Sequence, residues 1–202
     1  FRVIDAFSRI TRLGEGLGVT GLLGEAAVAR TIEALAACAA KIRARGVRRG
    51  RYVATEACRR AANCAEFLDR VEAATGLRLE IIPTAEEARL SVAGCASLLD
   101  PTVLHGLVFD IGGGSTEASW VRLERGRPVI VDSISLPHGV VSLTERYGGD
   151  RVAPESYAAM LDEVRQELEA FEARHRIAPR GAAGTVQMLG RSGTVATLAG
   201  IH

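Results

Sequence analysis

The run Val108-Phe109-Asp110-Ile111-Gly112-Gly113-Gly114-Ser115-Thr116-Glu117 constrains this chain more than any other segment. Residues 107–111 are apolar and read as a strand, and residues 116–123 alternate and read as another. A strand interrupted by glycines and resumed at once as a second strand has to turn back on itself. Consecutive glycines let the backbone take positive φ and approach a ligand with no Cβ in the way. Successive N–H groups in such a turn make an anion-binding concavity, to which Ser115 and Thr116 add hydroxyls. Asp110 before the turn and Glu117 after it can face one side, and paired carboxylates beside a phosphate cradle suit Mg²⁺ or another divalent cation. The plain alternative is a tight hairpin with solvated acids; an Asp before and Ser-Thr-Glu after weigh against it. Two other glycine-loop readings fail. A dinucleotide fingerprint needs a third glycine and a helix, but Glu117 holds that position and a strand follows. A Walker A loop needs Gly-Lys-Ser/Thr, and no lysine is there.

The remaining segments supply an α/β framework. After an extended start, Gly14, Gly16, Gly18 and Gly21 mark a loop. Val28, Ile32, Leu35, Ala39 and Ile42 then line one face of a helix from Glu25, closed by Gly46. Residues 51–55 read as a strand, 56–75 as one helix stopped at Gly76, and 77–82 as a strand. A helix through Leu99 follows Pro83, with Thr84 as cap and Glu87 as the capping-box acid. Residues 107–136 predict an antiparallel meander of three strands. Pro154 opens a long helix with Tyr157, Leu161, Val164, Leu168 and Phe171 on one face. Residues 185–189 read as a strand, and Arg191-Ser192-Gly193-Thr194 turns into a final helix. Alternating strands and helices indicate layered α/β structure.

With 202 residues, 48% of them hydrophobic, the chain can fold as one large domain or two small ones. Its formal charge of +1 points to neither nucleic acid nor membrane as a partner. The stretch Arg43, Arg45, Arg48, Arg49 and Arg51 could guide a polyanion, but a solvated helix end is the simpler account. Cys38, Cys58, Cys64 and Cys95 lack zinc spacing and read as buried thiols of a cytoplasmic protein. His105, His138 and His175 have no ligand spacing and read as structural or exposed. Trp120, Met160, Met188 and the tyrosines read as core. No apolar run is long enough to span a membrane, and residues 1–5 are no signal peptide.

The residues 110–117 resemble the second phosphate loop of the exopolyphosphatase/guanosine pentaphosphate phosphatase (Ppx/GppA) family. Other segments are similar to that family in the same order: Arg12-Leu13-Gly14-Glu15-Gly16-Leu17, then Ala54-Thr55-Glu56-Ala57-Cys58-Arg59 with Asn63, then Glu86-Glu87-Ala88-Arg89-Leu90, then Gly190-Arg191-Ser192-Gly193-Thr194. The resemblance implies two ribonuclease-H-like lobes of the actin/Hsp70/sugar-kinase superfold. Here they are expected as residues 1–104 and 105–202, both incomplete, since the family's first Asp-x-Gly-Ser-Asn loop is not found and family members continue beyond residue 202. Such a fragment is expected to be weakly active or inactive by itself.

By resemblance, Glu87 is the catalytic glutamate that deprotonates the attacking water and Arg59 contacts the phosphate under attack. Gly112, Gly113, Gly114, Ser115 and Thr116 form the phosphate cradle, and Ser192, Gly193 and Thr194 contribute to a second one or to lobe packing. Asp110 and Glu117 are associated with Mg²⁺. Catalysis is expected in the cleft between the lobes. The implied activity is release of terminal orthophosphate from inorganic polyphosphate, with guanosine pentaphosphate 5′-phosphohydrolysis as the alternative. A non-catalytic sensor of phosphorylated nucleotides would use the same cradle without Glu87, and a small-molecule kinase of the superfold is disfavoured by Glu86-Glu87-Ala88. Family members often form homodimers.

Overall fold

The computed structural model describes residues 3–149 and 151–201. Two compact units make up the chain, Phe1–Ile82 and Pro83–His202. The expected extended start falls partly on residues 1 and 2, outside the described residues; residues 3–10 have no regular structure.

In the first unit, the helical turn α1 (Leu17–Thr20) interrupts the glycine loop, and α2 (Glu25–Ala44) follows. The predicted face of α2 is the buried one: Val28 and Ala39 are core residues, with Ile32, Leu35 and Ile42 packed against them. Strand β1 (Tyr52–Ala54) pairs in parallel with β2 (Leu79–Ile81). Between these strands the single expected helix is two, α3 (Glu56–Arg60) and α4 (Cys64–Thr75). Asn63 accounts for the break. Its Oδ1 accepts the Leu23 N–H at 2.8 Å and its Nδ2 donates to the Leu23 carbonyl at 3.1 Å. A continuous helix would carry this amide away from its long-range partner. Replacing Asn63 with Ala leaves both Leu23 groups unpaired, so a loss of about 1–3 kcal/mol is expected in denaturant titration. Asn63→Asp, which keeps only the acceptor, should fall between. Most of the arginine stretch is committed locally: Arg51 pairs with Glu80, Arg45 with Asp5, and Arg43 donates to the Thr75 carbonyl.

The second unit opens with α5 (Thr84–Cys95) and a 3₁₀ turn (Ala96–Leu98), so the helix expected to reach Leu99 ends a turn early. The capping box expected at Thr84 does not form. Pro83, held extended at φ −69° and ψ 158°, is the N-cap residue, and Thr84 is already helical. The Glu86 and Glu87 amides donate to the Pro83 carbonyl instead.

Strands β3 (His105–Ile111), β4 (Thr116–Glu124) and β5 (Arg127–Leu136) form the predicted meander. After α6 (Val140–Tyr147), α7 (Pro154–His175) and α8 (Ile177–Ala182), strand β6 (Val186–Arg191) returns parallel to β3 and leads into α9 (Gly193–Ile201). The sheet order is β5-β4-β3-β6. Side chains alternate across it, so each face needs its own cover. On one face Val92, Cys95 and Leu99 pack on Val108 and Val121. On the other, Phe171 of α7 packs on Ala118 and Trp120. Helix α5, expected with the first lobe, thus shares its core with the sheet. The expected division after residue 104 and the compact-unit division at Ile82/Pro83 differ by this helix and the segment after it.

Helices α6 and α8 had no clear sequence signal. Trp120 is core as expected, stacked between His105 and His175 at ring distances of 5.0 and 5.9 Å. Met188 and Tyr157, also expected in the core, are 64% and 56% exposed. Met188 lies on the sheet strand β6 and Tyr157 near the start of α7, positions that no other element covers closely enough to bury them.

Candidate active site

The glycine turn sits where β3 passes into β4. Register places Asp110 directly opposite Glu117 and Ile111 opposite Thr116. Directly opposed residues project to the same face of a sheet, so register alone brings the two acids together. The Gly112 N–H closes the turn on the Ser115 carbonyl at 2.9 Å. One expectation is corrected here: Gly112, Gly113 and Gly114 all lie outside the left-handed region. A Cβ on Gly112 would lie 3.2 Å from the Ser115 carbonyl oxygen of the same turn, and one on Gly113 would make only ordinary contact with the Val141 side chain at 3.4 Å. The amides of Val140, Val141 and Ser142 reach the Gly112 and Gly113 carbonyls at 2.8–3.1 Å. Among the described residues, the amides of Gly113 and Gly114 donate to no protein group.

Ser115 and Glu117 are buried, 5% and 6% exposed. Burial pushes the Glu117 carboxyl above its ordinary range; the Ser115 hydroxyl opposes this, the charge of Glu87 adds to it, Ser135 opposes it, and Asp110 adds again. The Ser135 Oγ donates to Glu117 Oε1 at 3.1 Å. Glu87, half-buried in the first turn of α5, therefore lies within electrostatic reach of Glu117. The second unit thus gathers Glu87, Asp110 and Glu117 by itself. Such a concentration of acids is costly without a cation, and hard oxygen donors are what Mg²⁺ takes.

Two features were not foreseen. Arg191 stands beside Asp110 in the parallel β3–β6 register, its Nε 3.2 Å from Asp110 Oδ2. Only the pairing of distant strands puts it there. Ser192 takes φ 96°, rare for a residue with a side chain, and its Oγ donates to the Ile111 carbonyl at 3.1 Å. The later Ser-Gly-Thr loop is therefore tied to the strand that delivers the glycine turn. Gly193 and Thr194 begin α9; the structure shows no further bond from the Thr194 side chain.

Arg59 belongs to the first unit. It is not on a solvated helix face: its side chain is 17% exposed, against 41% for Arg60. Its Nη1 donates to the Ile82 carbonyl at 2.9 Å and its Nη2 to Glu56 at 3.0 Å.

His138 takes the structural one of its two expected alternatives. It is buried, with Nε2 2.9 Å from Glu167 and 3.7 Å from Glu163. These three are the group of candidate metal ligands found closest together among the described residues. Glu163, however, is already held by Arg146 and Tyr147, and His138 Nδ1 has no partner. A metal-bound imidazole ordinarily donates its second N–H to fix the ring. With Glu163 engaged elsewhere and the second ring nitrogen idle, the group is a structural hydrogen-bond network.

The sequence profile of the Ppx/GppA phosphatase family matches residues 1–202. This chain belongs to that family. It is 34% identical to exopolyphosphatase 2 of Mycobacterium tuberculosis over 96% of the chain and 64% of that protein. It is also 31% identical to the guanosine-5′-triphosphate,3′-diphosphate pyrophosphatase of Photobacterium profundum, over 93% of the chain and 38% of that protein. Among solved structures, an exopolyphosphatase from Cytophaga hutchinsonii superposes with a TM-score of 0.78 at 25% identity, covering 94% of this chain and 58% of that one. The Aquifex aeolicus Ppx/GppA protein does so with a TM-score of 0.61 at 35% identity, covering 81% and 52%. The chain spans less than two thirds of the curated relatives it matches. Its α/β fold is accordingly part of the Ppx/GppA fold. No helix among the described residues is long and apolar enough to cross a membrane.

Proposed function

We propose that this chain carries the chemistry of an exopolyphosphatase, releasing terminal orthophosphate from inorganic polyphosphate. The observation that carries this reading is the turn at residues 112–115: it leaves backbone amides unpaired beside the acids Asp110, Glu117 and Glu87. The 34% identity to a mycobacterial protein named exopolyphosphatase 2 supports the choice of substrate.

Hydrolysis of a phosphoanhydride needs a positioned water, donors on the non-bridging oxygens and relief of charge on the leaving phosphate. The amides of Gly113 and Gly114 take phosphate oxygens, while the Ser115 and Thr116 hydroxyls, engaged by Glu117 and by the His138 carbonyl, hold the turn that presents them. Gly193 and Thr194, at the start of α9, offer a second set of donors, with the Ser192 hydroxyl tying that loop to the Ile111 carbonyl. Glu87 accepts the proton of the attacking water as general base. Arg59, whose planar fork matches phosphate geometry, holds the phosphate under attack. Asp110 and Glu117 would hold a divalent cation, most simply Mg²⁺, which would supply positive charge to offset that on the phosphates. Arg191, with its Nε 3.2 Å from Asp110 Oδ2, orients that carboxylate.

Guanosine pentaphosphate is the second reading, favoured by the likeness to the Photobacterium protein. Both substrates present a terminal phosphoanhydride to the same groups. Orthophosphate release, measured with Mg²⁺ on polyphosphate and on guanosine pentaphosphate in the full-length protein, separates them. A higher kcat/KM on polyphosphate is expected. A preference for the nucleotide would transfer the assignment, and tight binding of either without turnover would replace the enzyme with a sensor.

A further inference from the structure

Helix α6 and the residues just before it, which no sequence motif singled out, lie behind the glycine turn. Three observations bear on what they do there. The first is bonding. The Val140 amide donates to the Gly112 carbonyl at 3.0 Å, and the Val141 and Ser142 amides donate to the Gly113 carbonyl at 2.8 and 3.1 Å. These are N-terminal helix amides, which have no acceptor inside their own helix. The turn's carbonyls serve as their cap.

The second is clearance. A Cβ on Gly139 would lie 2.4 Å from the Gly113 carbonyl carbon and oxygen and 2.6 Å from the Gly112 oxygen. These are backbone atoms with no rotamer by which to move aside. Gly139 itself has φ −130°, which any residue can adopt, so glycine is required here by proximity alone.

The third is anchorage. The Gly139 N–H donates to Ser142 Oγ at 2.8 Å, the His138 carbonyl accepts the Thr116 hydroxyl at 2.6 Å, and the buried His138 ring meets Glu167 of α7 at 2.9 Å. The segment is fixed to the helix behind it and to the first residue of β4.

We propose that His138, Gly139, Ser142 and the first turn of α6 are a positioning device for the phosphate loop, acting through the backbone. In a trans peptide the C=O and the next N–H point in opposite directions, and there are no cis peptides here. Clamping the carbonyls of Gly112 and Gly113 against α6 turns the amides of Gly113 and Gly114 away from it, out of the protein. Those are the two amides with no protein acceptor. Each carbonyl that accepts from α6 also polarises its peptide unit, which strengthens the N–H at the far end as a donor. The helix thus contributes to anion binding without touching the anion. This inference rests on the reading of the turn as a phosphate cradle; Gly139, Ser142 and His138 touch no substrate.

The test follows the amide ¹H–¹⁵N signals of Gly113 and Gly114 as inorganic phosphate is added to the full-length protein. It also follows orthophosphate inhibition of polyphosphate hydrolysis. In the wild type both amide protons should move downfield on saturation. Gly139→Ala should abolish that movement, weaken phosphate inhibition at least about tenfold and lower kcat on the order of a hundredfold, the usual effect of losing a preorganised donor. Ser142→Ala, which removes only the hydroxyl partner of the Gly139 amide, should give a smaller loss of the same kind. Restoration by Ser142→Thr, which keeps the hydroxyl, separates positioning from packing. If Gly139→Ala does not fold, the Ser142 pair decides. Wild-type amides that stay still with phosphate, or a folded Gly139→Ala or Ser142→Ala with unchanged phosphate inhibition, would overturn the proposal. The hydrolase reading fails separately: amides that respond to phosphate in a protein without turnover would leave the positioning device standing and remove the enzyme.

Discussion

Glu87→Gln is expected to lower turnover of polyphosphate by roughly 10²–10⁴-fold, the range a positioned general base contributes. Glutamine keeps the shape of the side chain and its hydrogen-bonding oxygen but takes no proton at neutral pH. Glu87 sits in the first turn of α5, where the Pro83 carbonyl takes the Glu86 and Glu87 amides and no side chain caps the helix. Because the acid plays no part in capping, the substitution should cost the helix little. It should even relieve the Glu117 carboxylate of a nearby like charge. The expected pattern is therefore specific: kcat collapses, inhibition by orthophosphate persists and the melting temperature does not fall. Steady-state phosphate release beside a thermal melt checks it. A variant with normal turnover would remove Glu87 from the mechanism, and one that loses both stability and phosphate binding would make it a structural acid.

Glu117→Gln should produce the opposite balance between stability and function. At 6% exposure the charged carboxylate is disfavoured, with only the Ser115 and Ser135 hydroxyls opposing burial and two further acids adding to the strain. Holding that charge at neutral pH destabilises the metal-free protein, so its neutral amide should melt at or above the wild type in EDTA. Function should suffer for the same reason, since a charge kept at structural cost is available to a cation. Wild type should gain stability with Mg²⁺ in proportion to occupancy, about 2.7 kcal/mol at a hundredfold excess over the dissociation constant. The variant should gain little, and should lose about two orders of magnitude or more in activity. Thermal melts of both proteins across a Mg²⁺ titration check this. An undiminished Mg²⁺ response in Glu117→Gln would take the cation away from this acid.

Local patterns made most of the elements readable. Helix α2 showed its buried face because apolar side chains recur with the helical repeat, and β3, β4 and β5 followed from alternation broken by turn residues. The pairing of Asp110 with Glu117 could be anticipated because a tight turn sets its own register. Errors arose where an adjacent residue or a distant partner outweighed the pattern. Thr84 and Glu87 have the spacing of a capping box, yet Pro83 took the N-cap position. Residues 56–75 suit one helix, yet Asn63 is held by Leu23, forty residues earlier. The glycines of the cradle suggested positive φ, which none of them adopts.

Sequence alone therefore determined the family, the α/β class and the identity of the acids and glycines around the turn, because each is written in a short segment whose spacing carries the chemistry. Tertiary structure alone decided that Arg191 pairs with Asp110, that Ser192 grips the end of β3, that His138 is buried against α7, and that Gly139 has no room for a methyl group. These depend on strands and helices meeting across long stretches of chain, and the chain meets itself there only after each face of the sheet has been covered.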